Sequence, residues 1–285
     1  MSYNFFPKEK EGLIRIDKLE LLIGELVKPE KTIAIGGGAL LFKPMEAIRE
    51  IIRQKVKNLT VYTLIGDMDI DLLMGVNAIT HLHSSYVGLP MIGMARNFRR
   101  VLEGDSNVKY HEWTELGMVR AFQAGALGTP YVLVRSFLGS DLVSLRDDFV
   151  EVEYNSKKYV RVPAINPDLA IVHAYAADPH GNVYCPEDRL LEDFITLPAL
   201  CSKELLVTVE KLITEEEGRQ MTNQILFSYL DVDYIAVTPN GAWPSGFPPF
   251  YPTDMSHLME YSGMATVPET LELYLQEHVR QKEED

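Results

Sequence analysis

The sequence predicts an α/β fold: a doubly wound, mostly parallel sheet with helices on both faces and a small antiparallel flap. Three observations carry this expectation. Short apolar, β-branched runs alternate with segments of helical period along most of the chain. The first such run ends in three consecutive glycines, and in the middle Asn155-Ser156 separates two strand-like runs.

Asp17 precedes Leu19, Leu21, Leu22 and Leu26, an amphipathic helix with that aspartate as its expected cap, ending near Lys28-Pro29. Thr32-Ile33-Ala34-Ile35 reads as a buried strand, and Gly36, Gly37 and Gly38 as the turn that ends it. Pro44 suits the first turn of a helix in which Met45, Ile48, Ile51, Ile52 and Val56 follow at helical spacing. Residues 59–65 read as the next strand, 69–76 as a short helix and 79–83 as a third strand. Residues 112–124 read as a helix and 131–135 as the strand after it. The runs 150–154 and 158–162 form the expected hairpin flap. Parallel strands resume at 169–174, 205–209 and 234–238, with Thr214 and Glu217 a capping box that opens a helix between the last two. A loop and two helices follow. The expected organisation is one domain over residues 1–285, with the flap near 150–162, C-terminal helices within 253–285 and a frayed charged end at 276–285.

With 46% apolar and 24% charged residues, the 285-residue chain has a globular balance and enough length to bury a core unaided. Its 27 Lys+Arg against 41 Asp+Glu give a formal charge of −14, which repels polyphosphate and anionic lipid over most of the surface. Neither nucleic acid nor a membrane is therefore an expected partner. No apolar stretch approaches the roughly 18 residues of a membrane span. The start, 1–11, alternates charge with aromatics where a signal peptide has an apolar core, so a cytoplasmic location is expected. Cys185 and Cys201 are too few for a disulfide framework, lie in no C-x-x-C pair and are expected to be inert.

The stretch Gly36-Gly37-Gly38-Ala39-Leu40-Leu41-Phe42-Lys43-Pro44 lies between a strand and a helix start. Glycines there let backbone N–H groups approach an anionic ligand, with the helix N-terminus adding positive potential. The other reading is a tight βα turn. It is neither a G-x-G-x-x-G fingerprint nor a P-loop.

These residues resemble the A subunit of the class I coenzyme A transferases, where a glycine-rich strand-to-helix turn with a proline a few residues on is a family mark. Further stretches agree in family order. Ser84-Ser85-Tyr86-Val87-Gly88 matches a Ser-Tyr-Val-Gly; Gly117 together with Ala124-Gly125-Ala126-Leu127-Gly128-Thr129-Pro130 resembles a glycine-centred helix and its A-G-x-G-x-P ending; Asp178-Pro179-His180-Gly181-Asn182 resembles an Asp-x-x-Gly-Asn turn. Departures are informative. Ala39 and Phe42 stand where the short-chain oxoacid enzymes carry later glycines of G-x-G-x-x-G-x-P, Leu116-Gly117-Met118 replaces their Gln-Gly-Thr, and Gly88-Leu89-Pro90 replaces their Gly-Glu-Asn. These changes argue against an acetoacetate-type substrate. Lys43-Pro44-Met45 looks closer to glutaconate coenzyme A transferase and to the ring-opening coenzyme A hydrolases of steroid breakdown.

The resemblance implies one subunit of a heteromer, A2B2 or larger, that moves CoA from an acyl-CoA to a carboxylic acid acceptor. The nucleophile, a glutamate of the partner B subunit, would add to the acyl-CoA carbonyl and pass through a mixed anhydride to a glutamyl-CoA thioester, before the acceptor reverses the steps. No copy of the B-half nucleophile motif is found here, and 285 residues are too few for both halves, so the chain is expected to be half an enzyme. A coenzyme A thioester enters as substrate; no permanent cofactor and no metal is expected.

The backbone N–H groups of Gly37 and Gly38 are expected to line the acyl pocket or hold developing oxyanion charge. Gly36, Gly88 and Gly117 belong to the matched stretches and are counted with the substrate site. Ser84, Ser85 and Tyr86 follow an expected strand end, where ligands of open α/β sheets gather, and a hydroxyl there could orient a substrate carboxylate. The alternative is a serine satisfied by backbone and a tyrosine in the core. Glu115, beside Glu112 and Trp113, is either a helix-start acid or, as in the hydrolase-like relatives, a general base for water. Arg99, within Arg96-Asn97-Phe98-Arg99-Arg100, is a candidate clamp for a dicarboxylate or for CoA phosphates, against a solvated helix face. His81-x-His83 has no third metal ligand nearby, and His180 is read as part of a structural turn. The loop 238–254, with five prolines, Trp243, Phe247, Phe250 and Tyr251, is expected to cover the acyl pocket or dock on the partner. Two rivals stand beside the transferase: an acyl-CoA hydrolase subunit on the same scaffold, and a non-catalytic ligand-binding relative of the fold.

Overall fold

A computed structural model describes residues 14–186 and 192–280; the charge-and-aromatic start and the last five residues of the expected frayed end lie outside them. The strands are β1 (Arg15–Ile16), β2 (Thr32–Ile35), β3 (Leu59–Gly66), β4 (Ile79–Val87), β5 (Lys109–Glu112), β6 (Tyr131–Val134), β7 (Val150–Tyr154), β8 (Lys157–Pro163), β9 (Leu169–Ala177), β10 (Val183–Tyr184), β11 (Glu204–Leu212), β12 (Ile225–Phe227) and β13 (Tyr234–Val237). The helices are α1 (Leu19–Leu26), α2 (Met45–Arg53), α3 (Met68–Gly75), α4 (Arg96–Glu103), α5 (Glu115–Ala126), α6 (Glu192–Cys201), α7 (Glu215–Gln220), α8 (Met255–Met264) and α9 (Pro268–Leu275), the last running into a π-helical turn, Gln276–Arg280.

The main sheet runs β1-β13-β11-β9-β2-β3-β4-β5 with every neighbouring pair parallel, and β10 and β12 add an antiparallel extension beside β9. From β2 the chain winds outward through β3, β4 and β5, then returns to the other side of β2 at β9 and winds outward again. The strand order therefore reverses between β2 and β9, the place where open α/β sheets form a crevice at their carboxyl edge.

Period-two alternation explains the near-continuous apolar strands, because both faces are covered. Ile33, Ile35, Val61, Leu169, Ile171 and Leu206 face a core shared with α1, α2, α3, α8 and α9. Ala34, Ala170, Val172, Leu205 and Val207 face the other core, filled by Met118 and Phe122 of α5, Ile195 and Leu197 of α6, and Val160 and Val162 of the flap. The flap is the three-stranded antiparallel sheet β6-β8-β7, turned by Asn155 and Ser156 at φ 50° and 58°, the left-handed pair a two-residue hairpin needs.

Several sequence expectations are corrected. Asp17 does not cap α1; its carboxylate accepts from Lys18 N–H at 2.8 Å and pairs with Arg15, while Lys18 occupies the cap position. The strand expected at 79–83 continues to Val87 because Thr63, Ile65 and Gly66 of β3 pair with Ser84, Tyr86 and Val87. The helix expected from 112 starts at Glu115: residues 109–112 form the edge strand β5, and Thr114 caps α5 by accepting from Gly117 N–H at 3.1 Å. The strand 131–135 leaves the parallel sheet and joins the flap. The capping box at α7 forms as expected, with Thr214 and Glu217 exchanging bonds.

Asp71, fully buried on α3, ties three helices together. It accepts from Phe98 N–H at 2.8 Å, from Asn97 Nδ2 at 3.0 Å and from Tyr261 Oη at 2.6 Å. Burial pushes its carboxyl above the usual range against the pull of those donors. Tyr261→Phe leaves one carboxylate oxygen a donor short and is expected to cost about 1–3 kcal/mol in a urea titration, with the fold retained.

Candidate functional site

Gly36 N–H bonds Ile171 O of β9 at 3.0 Å, so the turn after β2 begins on the inner side of the reversal point. Gly37, at φ 78°, has no room for a side chain: a Cβ there would lie 2.6 Å from the Phe42 carbonyl. Its N–H donates to Phe194 O at 3.1 Å. That carbonyl is free because Pro198, four residues on within α6, has no N–H to satisfy it. Gly38 N–H donates to Leu41 O at 3.0 Å. Both N–H groups are thus held by carbonyls of the chain itself, so neither is free to hold developing oxyanion charge in this structure. Among the described residues the N–H groups of this stretch without an acceptor are those of Ala39, which is exposed, and Lys43, which is buried.

Ala39, Leu40 and Phe42 have φ of 52°, 61° and 58°. The glycine-like backbone of the turn persists although L-residues occupy it, at a cost of roughly 1–2 kcal/mol each. Tertiary bonds hold it in place. Asp67 Oδ2 accepts from Leu40 N–H at 2.9 Å, Phe42 N–H donates to Gly246 O at 2.9 Å, Gly246 N–H donates to Leu40 O at 2.8 Å, and the Thr253 hydroxyl donates to Leu40 O at 3.0 Å.

Beneath the turn lies a fully buried charge cluster. Lys43 Nζ donates to Ile65 O at 2.6 Å and stands 2.9 Å from Asp69 Oδ2, an ion pair whose angle is not that of a hydrogen bond. Asp69 Oδ1 accepts from Asp67 N–H at 2.7 Å. Asp67 sits at the cap position of α3 yet reaches across to the glycine turn, and its Oδ1 has no hydrogen-bond partner among the described residues. Burial, with Asp69 adding to it, pushes the Asp67 carboxyl up to about 7 against the opposing pull of Lys43 and Leu40 N–H.

Ser84 and Ser85 lie within β4, not beyond it. The buried Ser84 hydroxyl bonds Tyr86 O at 2.7 Å and accepts from Tyr86 N–H at 3.2 Å, and Ser85 Oγ donates to Leu64 O at 2.5 Å. Both are committed to backbone, the structural alternative. Tyr86 is not a core residue: it is 48% exposed, and its ring occupies the space that a Cβ on Gly88 would need. Gly117 packs against Phe137 beside the Thr114 cap and presents no ligand surface. Glu115, exposed at the start of α5, has no hydrogen-bond or ion-pair partner among the described residues. Arg99 pairs with Glu103 at 2.7 Å on a solvated face of α4, as the alternative reading had it, while Arg100 holds Ala265 O at 3.0 Å and braces α4 against the end of α8.

The 238–254 loop is largely packed and braces the site. Phe247 is buried, edge-on to Phe42 at 5.2 Å and to His173 at 5.0 Å. Trp243, half-buried, lies under Arg49 and against His257. Tyr251 Oη donates to Glu210 Oε1 at 2.5 Å, the same oxygen that lies 2.8 Å from His173 Nε2, and Asn240 N–H donates to Glu210 Oε2 at 2.6 Å. Burial works against the Glu210 charge, but these donors hold its carboxyl below the usual range. The sequence carries no signal for this network, because β9, β11 and the loop supply its members from separate segments. His81 and His83 form a ring ladder with His111, stacked at 5.5 and 4.2 Å, and burial drives His83 down to about 2. The 178–182 turn is structural as expected, with Asp178 accepting from His180 N–H, Asn182 and Tyr184.

Two predictions test the buried cluster. Lys43→Met strands buried carboxylate charge and is expected to cost about 3–5 kcal/mol, whereas Lys43→Met with Asp69→Asn recovers part of the loss, as read from urea midpoints. Because Asp67 binds its proton more tightly folded than unfolded, its contribution is complete at low pH. It is lost as pH rises from about 4 through about 7. Asp67→Asn should therefore gain stability relative to the wild type across that window, measured as the difference between the two pH profiles.

The chain matches the family described as Coenzyme A transferase over residues 16–238. It is 28% identical over 265 residues to the A subunit of a 3-oxoadipate CoA-transferase of Pseudomonas knackmussii, covering 90% of this chain and 91% of that protein. It is 27% identical over 279 residues to a cholesterol ring-cleaving hydrolase IpdA subunit of Rhodococcus jostii, covering 94% and 92%. The solved glutaconate coenzyme A-transferase of Acidaminococcus fermentans superposes with a TM-score of 0.86 at 25% identity, over 94% of this chain and 90% of that one. The chain spans 61% of the length of a longer relative, an uncharacterized protein of Archaeoglobus fulgidus. With the family match covering most of the chain and the strand order turning where the glycine turn sits, the chain belongs to the coenzyme A transferase family.

Proposed function

We propose that the chain is the A subunit of a heteromeric CoA-transferase, which moves CoA from an acyl-CoA to a carboxylic acid through a glutamyl-CoA thioester formed on a B subunit. The observation that carries this reading is the turn at the reversal point. Its exposed residue, Ala39, carries an N–H with no acceptor among the described residues, on a backbone fixed by buried charge. A preorganised donor of this kind suits the oxyanion that develops when a carboxylate attacks a thioester, and losing one such donor costs about 10²–10³ in rate.

The chemistry requires the nucleophilic carboxylate to come from elsewhere. Glu210, which the 238–254 loop contacts, is tied by His173, Tyr251 and Asn240, leaving it no freedom to attack. Exposed apolar side chains lie at or beyond the carboxyl ends of β4 and β5: Tyr86, Met91 at 90% exposure, Met94 and Leu116. They fit a surface covered by a second subunit, whose approach would close the crevice and exclude water.

A hydrolase subunit is the second reading, favoured by the 27% identity to part of a ring-cleaving hydrolase and by the unpaired Glu115 at the start of α5, where a base could activate water. One set of assays separates the readings. The chain alone should release no CoA from acyl-CoA, and activity should appear on adding the B subunit. With acyl-CoA present, borohydride should then reduce a glutamate of the partner. A reduced glutamate mapped to this sequence, or turnover by the chain alone, would overturn the assignment. Glu115→Gln should leave transfer within a few fold; a loss of about 10²-fold or more in acceptor-independent CoA release would establish the hydrolase.

A further inference from the structure

The C-terminal helices bring together three residues outside the glycine turn and its buried charge cluster. His257 and Glu260 lie at i and i+3 on α8, one above the other on the same face, and His278 comes from the π-helical turn after α9. One ligand atom from each lies within 4.8 Å of the other two. From this juxtaposition we propose that His257, Glu260 and His278 form a binding site for a divalent cation of the zinc class.

Two independent features point to a ligand. His278 Nε2 is buried and has no hydrogen-bond partner among the described residues; its nearest acid contact is Glu277 Oε2 at 3.9 Å. A buried ring nitrogen without a partner is costly, and a cation would supply one. His257 is already oriented as a ligand, because its Nε2 bonds the Tyr274 hydroxyl at 2.7 Å. The ring's Nδ1 is left on the side of Glu260 Oε2, 4.0 Å away. An outer hydrogen bond of this kind fixes the ring of a metal-binding histidine. The rings of His257 and His278 meet edge to face at 4.9 Å, and Trp243 closes the other side at 4.2 Å.

Two imidazoles and one carboxylate form a donor set suited to zinc and its neighbours, with bonds of about 2.0–2.2 Å that place the ligand atoms roughly 3.3 Å apart. The Glu260 side chain is 53% exposed and can swing inward to close the set, leaving a fourth position to water from the same side. Binding there would pin the last helical turn to α8 and, through Trp243, to the loop that braces the glycine turn.

The full-length chain, stripped with EDTA, should take up one equivalent of Co2+ with the visible bands of a four- or five-coordinate ion. Zn2+ should displace it and, at about tenfold above Kd, raise Tm by about 3 °C. Glu260→Gln and His278→Gln should each abolish the bands and the Zn2+ shift while the metal-free Tm stays within about 2 °C of wild type. Absence of the bands in the wild type, or their persistence in both variants, would overturn the site. Glu260→Gln, being at an exposed side chain, keeps the test valid if the His278 variant fails to fold.

Discussion

Lys43, Asp67 and Asp69 sit without solvent contact beneath the glycine turn, and the geometry of the whole carboxyl edge hangs on how their charges are paired. Removing an ammonium and a carboxylate from water costs several kcal/mol each, which is recovered only where close pairing and further hydrogen bonds complete both groups. Here Lys43 is completed by Asp69 and the Ile65 carbonyl, and Asp67 takes Leu40 N–H from the neighbouring turn. The cluster fastens the turn after β2 to the turn after β3, so two loops that could move independently become one surface. Three L-residues hold left-handed backbone there, a strain that persists only when its surroundings over-determine it.

A second set of restraints closes on the same turn from the opposite side of the reversal point. Pro198 leaves the Phe194 carbonyl for Gly37, and the 238–254 loop exchanges backbone bonds with Leu40 and Phe42. That loop is in turn anchored through Tyr251 and Asn240 to Glu210 of β11, and through Phe247 to His173 of β9. Prolines and aromatics in a long loop here serve rigidity. They trade mobility for a fixed backbone around Ala39.

The residues of this edge divide between those engaged within the fold and those left exposed. Ser84, Ser85, Gly117 and Arg99 are engaged in packing, backbone bonds or solvated pairs. Tyr86 near the end of β4, and Glu115 and Ala39 beyond strand ends, are exposed, as are Met91, Met94 and Leu116.

The sequence by itself determined the alternation of strands and helices, the hairpin at Asn155-Ser156, the capping box at Thr214 and the position of the glycine turn, because each depends on periodicity or on residues close along the chain. It also carried the ordered motifs by which the chain resembles its family. Only the tertiary structure decided which N–H groups remain free: Gly37 and Gly38 are silenced by Phe194 and Leu41, and the first of these contacts requires α6, whose internal Pro198 hides it from a periodicity reading. The edge strand β5 was equally illegible, since four half-exposed polar residues become a strand only when β4 supplies a partner. Glu210 with Tyr251, and His257 with His278, join residues from separate segments. Local patterning fixes a residue's face, but whether two faces meet is settled by the packing of the whole chain.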